Sequence, residues 1–203
     1  MREWTIASVW YTSYGSNLSQ ARFACYLTGG TFPGSTSVLP GARDASPPAE
    51  SMPFDVPYRL YFAGHTRSWG GAPAFIGTTP DPLHTLGRAY LIGWDQFEDV
   101  VAQENGRQTA PIDWIQLGDL AAGEALTLGP GWYDHLICLG HHQGVPVVTF
   151  TAPEPITPTA APSRGYLATI IEGLRQTYGL SQDEIVAYLA ARGCDGDTVA
   201  AIC

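Results

Sequence analysis

Two short segments of the chain carry residue types suited to acyl-transfer chemistry. The first is Tyr14-Gly15-Ser16-Asn17-Leu18, which follows an apolar run from Ser8 to Ser13 and precedes a helical stretch from Ser19 to Thr28. A strand that turns into a helix there aims backbone N–H groups at one point, and such a point binds carboxylates. Gly15 lets backbone and ligand approach closely and can take φ > 0, while Ser16 or Asn17 can cap the helix. An ordinary well-capped turn has the same pattern. The second segment is Asp95 to Glu104. Asp95 and Glu98 have capping-box spacing and Asn105-Gly106 supplies a stop, so this should be one short helix. Phe97, Val100, Val101 and Glu104 then fall at i, i+3, i+4 and i+7, which puts a carboxylate on the stripe that should face the core. Burial and the negative end of the helix dipole both oppose its ionisation, raising its pKa toward that of a useful base or acid near neutrality. A frayed last turn that releases Glu104 to water is the alternative.

The elements that must position these residues follow from turn signals and periodicity. Gly29-Gly30 stops the first helix, and Thr31 to Pro57, rich in Pro, Gly and Ser, reads as mostly loop. Tyr58 to Ala63, Ala74 to Ile76, Arg88 to Gly93, Trp114 to Leu117, Trp132 to Leu139 and Val145 to Thr151 read as strands. Ala152 to Ser163 holds four prolines and is an extended connection. Arg164 to Tyr178 then carries a core-facing stripe of Tyr166, Leu167, Ile170, Ile171 and Leu174, and Gly179 ends it. Ser181 with Glu184 is a capping box that opens a helix to about Ala191, with Ile185, Tyr188 and Leu189 on one side. The class is therefore α+β: a small mixed, barrel-like and largely closed sheet with flanking helices and a C-terminal helical tail. Residues 1–180 form the main domain and residues 181–203 an extension packed on it.

Composition narrows the chemistry. The 203 residues are 45% hydrophobic and only 14% charged, with 23 Gly and 16 Pro, which suits a compact, loop-rich enzyme fold. A net charge of −9 argues against nucleic acid and anionic membranes as partners. All ten basic residues are Arg, so neither a Schiff-base lysine nor a P-loop lysine is available. The Arg, Ala, Gly and Pro bias suggests a GC-rich bacterial source. The first residues, interrupted by Thr5 and Ser8, are too short and polar for a signal peptide, so a cytoplasmic location is expected. Cys25, Cys138, Cys194 and Cys203 lack metal spacing and are expected as thiols.

Other constellations are weaker. A thiol hydrolase would need Cys138 activated by a histidine such as His141, with no third group evident to orient it. Asp134, His135, His141 and His142 could be read as metal ligands, but adjacent His141 and His142 point apart, and a solvated turn accounts for them. Ser16 lacks the Gly-x-Ser-x-Gly setting of a nucleophile.

In this order, the Gly-Ser-Asn turn, Trp69-Gly70-Gly71, Gln103-Glu104 followed by Gly106, and Pro162-Ser163 through Tyr166 resemble the γ-glutamylcyclotransferase superfamily, over roughly Trp10 to Leu180. Asn105 between the glutamate and the glycine, the long Thr31 to Pro57 segment and the added tail depart from its pattern. The resemblance implies that Glu104 is the catalytic acid and base. It also implies that Tyr14, Gly15, Ser16, Asn17, Leu18, Trp69, Gly70, Gly71 and Tyr166 bind a small γ-glutamyl substrate, and that no metal or other cofactor is needed. The reaction it implies is attack of the α-amine of a γ-glutamyl group on its own γ-carbonyl, releasing 5-oxoproline and a free amine. The turn's amides would hold the α-carboxylate or polarise the γ-carbonyl. The aromatic-Gly-Tyr-Gly-Ser-Leu pattern of the glutathione-specific branch is absent, which together with the acidic net charge points to the γ-glutamyl derivative of a neutral or cationic amine, or of a single amino acid. The Thr31 to Pro57 segment and the tail would then shape the leaving-group side. A γ-glutamyl or aminoacyl transferase and a non-catalytic binder of amino-acid derivatives are the alternatives.

Overall fold

The computed structural model describes residues 8–203. The expectation about a signal peptide concerns the first residues, which lie outside that range.

The strands are β1 (Ser8–Ser13), β2 (Gly30–Thr31), β3 (Val38–Leu39), β4 (Glu50–Val56), β5 (Leu60–Phe62), β6 (Ala74–Ile76), β7 (Thr85–Gly93), β8 (Ala125–Thr127), β9 (His135–His142) and β10 (Val145–Thr151). The helices are α1 (Gln20–Thr28), α2 (Trp94–Glu104), α3 (Trp114–Asp119), α4 (Arg164–Tyr178), α5 (Gln182–Ala190) and α6 (Gly196–Ala200). Six strands form one mixed sheet in the order β4-β7-β1-β10-β9-β8, in which β1 and β10 are parallel and the other neighbours antiparallel. β2-β3 and β5-β6 are separate two-stranded pairs. The mixed α+β class stands as expected, but the sheet is open, with β4 and β8 at its edges.

β1 and β10 lie at the centre of the sheet and are buried on both faces. On one face Val9, Tyr11, Tyr90, Ile92, Val148 and Phe150 pack on α1 and α2 through Phe23, Phe97, Val100 and Val101. In the core around α4, the stripe of Leu167, Ile170, Ile171 and Leu174 meets Val56, Tyr58, Leu60 and Ile76. Ile185, Leu189 and Val199 of α5 and α6 join that same core.

Several local expectations are corrected. Thr31 to Pro57 contains the end of β2, β3 and all of β4. β4 is a mostly exposed edge strand whose Pro53 is tolerated there, which hid its signal. Trp114 to Leu117 begins α3 rather than a strand, because Asp113 caps it through Ile115 N and Gln116 N. β9 starts at His135, not Trp132. Helix α2 starts at Trp94: Gly93 is its N-cap and the Gln96 side chain accepts from Gly93 N at 2.9 Å, so Asp95 and Glu98 do not form the cap. The cap of α1 is Ser19, whose hydroxyl accepts from Arg22 N, not Ser16 or Asn17. The capping box of Ser181 and Glu184 is present as expected.

Candidate active site

Residues 16–18 form a single 3-10 turn between β1 and α1. Its carbonyls are gripped from below. Tyr90 donates its hydroxyl to Asn17 O at 2.8 Å, and the buried Arg88 donates to Leu18 O at 3.0 Å. Gly173 of α4 approaches so closely that an added Cβ would lie 2.3 Å from Leu18 Cβ, so the turn rests directly on that helix. The turn cannot sag into the core, and its upper side faces a cavity of about 280 Å³.

Glu104 enters this cavity from the end of α2. Gly106 at φ +63° and the bonds from Gly106 N to Gln103 O and Arg107 N to Ala102 O close the helix in a Schellman arrangement. Asn105 ties that end to the following turn by accepting from Tyr133 N at 3.1 Å, while Arg107 pairs with the buried Asp134. The half-buried Glu104 accepts from Asn17 Nδ2 at 3.0 Å, which joins two segments 87 residues apart in sequence. Burial raises its carboxyl above the ordinary range, and the Tyr26 hydroxyl, the Arg22 charge and the Asn17 amide oppose that shift.

The walls are rich in tyrosine. Tyr11, Tyr14, Tyr26 and Tyr133 have pKa values held well above their usual one, chiefly by burial, and Tyr166 is pushed up to about 12. All are therefore hydroxyl donors at neutral pH, and Glu104 is the one carboxylate among the described lining residues. Tyr14 donates to Phe150 O at 2.7 Å and Tyr133 to Ala74 O at 3.0 Å, while Tyr166 Oη accepts from Ala74 N at 3.1 Å.

Tyr14, Gly15, Ser16, Asn17, Trp69, Glu104 and Tyr166 all line this cavity. Three expected binding residues do not. The Leu18 side chain is fully buried in the core. Gly70 is exposed at φ +65° and permits the turn. Gly71 lies where an added Cβ would fall 2.4 Å from Ser163 N, so it lets the turn dock on the start of α4. Gly15 has φ −107°, not a positive value; its missing Cβ leaves room for Tyr166 Oη, 2.9 Å from where that atom would stand. Ser37 and Leu39 bring the 31–57 segment to the cavity, but no residue of the tail lines it, because α5 and α6 pack in the core around α4.

Sequence reasoning missed Arg22, Tyr26, Trp132 and Tyr133, which also line the cavity. Arg22 and Tyr26 are four apart on the helix that leaves the turn, a spacing that signals one shared face. The other constellations disperse. Burial raises the Cys138 thiol, which contacts the carbonyls of Leu120 and Gly140. His135 is hydrogen-bonded to Thr127, and His142 packs edge-on against Trp10. Among the described residues no three His, Cys, Asp or Glu side chains are grouped to hold a metal ion.

An open mixed sheet, a gripped Gly-Ser-Asn turn and a helix-terminal glutamate in one cavity place the chain in the γ-glutamyl cyclotransferase-like fold. A solved γ-glutamyl cyclotransferase superimposes with a TM-score of 0.52 at 15% identity, covering 90% of this chain and 87% of that one. An uncharacterized protein from Homo sapiens superimposes with a TM-score of 0.53 at 15% identity, covering 91% and 88%. No protein-family model matches the sequence. By sequence, the chain is 34% identical over 200 residues to histone deacetylase 5 of Arabidopsis thaliana. That alignment takes in 89% of this chain but only 30% of the plant protein's length, and nothing in it speaks for a bacterial source. No helix among the described residues is long and apolar enough to cross a membrane.

Proposed function

We propose that the protein is a γ-glutamylcyclotransferase-type enzyme. The observation that carries this reading is the 3.0 Å contact between Asn17 and Glu104, which brings the anion-suited turn and a carboxylate of raised pKa into one cavity. Glu104 takes a proton from the substrate's α-ammonium. The freed amine attacks the γ-carbonyl carbon, a C–N bond forms to close the lactam, and the amide C–N bond breaks. The proton on Glu104 then passes to the departing nitrogen, and the second proton shed by the ring nitrogen follows it to leave an ammonium product, so no outside reactant is consumed. Because the nucleophile belongs to the substrate, folding it into attack geometry can supply an effective molarity on the order of 10⁵–10⁸ M, and proton transfer about 10²–10⁴-fold more. A cavity of about 280 Å³ suits a γ-glutamyl head with a small leaving group.

The leaving group we favour is a simple amine or a single amino acid rather than a peptide, since a cavity of about 280 Å³ leaves little room beyond the γ-glutamyl head. We read the segment aligned with the plant deacetylase as a unit within that longer protein and do not transfer deacetylation to this chain. The test is incubation with γ-glutamyl amines, γ-glutamyl amino acids and glutathione, followed by mass spectrometry. Equimolar 5-oxoproline and free amine support cyclisation. A new γ-glutamyl conjugate formed only with a second amine would instead establish a transferase, and absence of any turnover a binder.

A further inference from the structure

Arg22 is the charged group in the cavity that the reaction above leaves unused. It stands on α1 and is 3% exposed, with its guanidinium carbon 4.8, 5.4 and 6.0 Å from the ring centres of Tyr26, Trp69 and Phe32. Its Nη2 donates to the Tyr26 hydroxyl at 3.3 Å, and its Nε and Nη1 have no hydrogen-bond partner among the described residues. Nor does any described ion pair include it. Keeping a guanidinium out of water without an anion in hydrogen-bond contact is costly, and native proteins satisfy such donors or use them. Asn17 Oδ1 is also without a partner, which leaves an acceptor beside Glu104. The cavity therefore holds one positive and one negative side chain with Tyr26 near both, and with donors and an acceptor to spare.

That arrangement is complementary to the head of an α-amino acid. We propose that Arg22 binds the α-carboxylate of the γ-glutamyl head, which is thus read as a zwitterion with its α-ammonium at Glu104 and Asn17 Oδ1. The identity of the head rests on the cyclotransferase reading; the anion site itself does not. With the α-carboxylate on Arg22, the amides of the 15–17 turn are left for the γ-carbonyl oxygen, where charge develops during attack. A bidentate guanidinium also fixes the plane of the carboxylate, and with it the direction of the neighbouring amine.

The test is calorimetric titration with L-methionine sulfone, which carries the amino-acid head and a polar group where glutamine has its amide but offers no acyl carbon to turn over. Its α-carboxamide serves as the paired probe. The parent should bind the free acid about 30-fold or more tightly than the carboxamide, the scale of losing one buried charge partner. Arg22→Met keeps the apolar stem against Tyr26 and Trp69; it should lose at least that factor for the acid and nothing for the carboxamide. Arg22→Lys should fall between. Because the unpaired charge is a burden in the free protein, Arg22→Met should melt no lower than the parent. Unchanged affinity for the acid in Arg22→Met, equal loss for both probes, or a parent that binds neither would overturn the proposal. Arg22-dependent binding without 5-oxoproline formation would leave the anion site standing and remove the cyclotransferase reading. The opposite pair of results would do the reverse.

Discussion

Gly15 and Tyr166 are coupled by a contact whose size can be worked out. An alanine at position 15 puts its Cβ 2.9 Å from Tyr166 Oη and 3.4 Å from Ala74 Cβ. Tyr166 Oη is held by Ala74 N at 3.1 Å, and its ring packs edge-on against Trp69 with centres 5.0 Å apart, so it has little room to retreat. Gly15→Ala must either stretch that hydrogen bond or overpack the site, and each costs about 1–3 kcal/mol. In a chain of this size that is a fall in Tm of about 3–10 °C. Tyr166→Phe removes the oxygen that collides, at the expense of an unpaired Ala74 N–H. In that background Gly15→Ala should be nearly silent. Urea denaturation of the parent, both single variants and the double variant gives the coupling directly, and about 1–2 kcal/mol is expected. Additivity within about 0.5 kcal/mol would show that Gly15 is not a glycine for the sake of Tyr166.

Three further expectations follow from the site and its supports. Because the Glu104 carboxyl titrates above its ordinary range, the folded chain holds that proton more tightly than the unfolded one, and stability declines as pH rises from the ordinary carboxylate range through the raised value. Glu104→Gln should therefore melt at or above the parent at neutral pH and lose this advantage in acid; a lower Tm at neutral pH would contradict the assignment. Asp134→Ala strands Arg107, whose side chain is only 33% exposed, and frees the turn tied to Asn105. A stability loss of about 3 kcal/mol is expected in chemical denaturation, and less than about 1 would mean the pair is dispensable. Glu98 accepts from Trp114 Nε1 and Arg43 Nη2, both at 2.7 Å, but Arg43 is 57% exposed. Glu98→Gln should cost under about 1 kcal/mol and leave turnover unchanged, which denaturation and a rate assay together check.

Much of this arrangement is legible in the chain, for reasons specific to each element. The apolar stripe of α4 and the capping box of α5 are local signals, and the 3.6-residue spacing from Phe97 to Glu104 carries the glutamate to the core side of α2. The cap of α1, by contrast, falls on Ser19 rather than on Ser16 or Asn17. The edge strand β4 is not legible, because Glu50, Pro53 and Asp55 suit a strand exposed at a sheet margin and read as loop. Trp114 to Leu117 is too short to separate a helix from a strand by periodicity, so the Asp113 cap decides it. At the site, the turn and Glu104 have patterns of their own. Arg22 and Tyr26 share a helix face by their spacing, but Trp132 and Tyr133 reach the cavity only through tertiary packing, and nothing around those two in sequence marks them as cavity residues. The tail, which sequence order places after the last site motif, joins the core around α4 instead of the cavity.

In the proposed reaction Glu104 moves the proton of an intramolecular cyclisation. The most direct measurement of this role is the rate of 5-oxoproline release from a γ-glutamyl substrate by the parent and by Glu104→Gln, followed by mass spectrometry with folding verified by Tm. The parent should release 5-oxoproline and the amine in equal amounts, with kcat rising as Glu104 ionises above the ordinary carboxylate range, and Glu104→Gln should lose about 10²-fold or more in kcat. Release by Glu104→Gln within about tenfold of the parent would contradict this role.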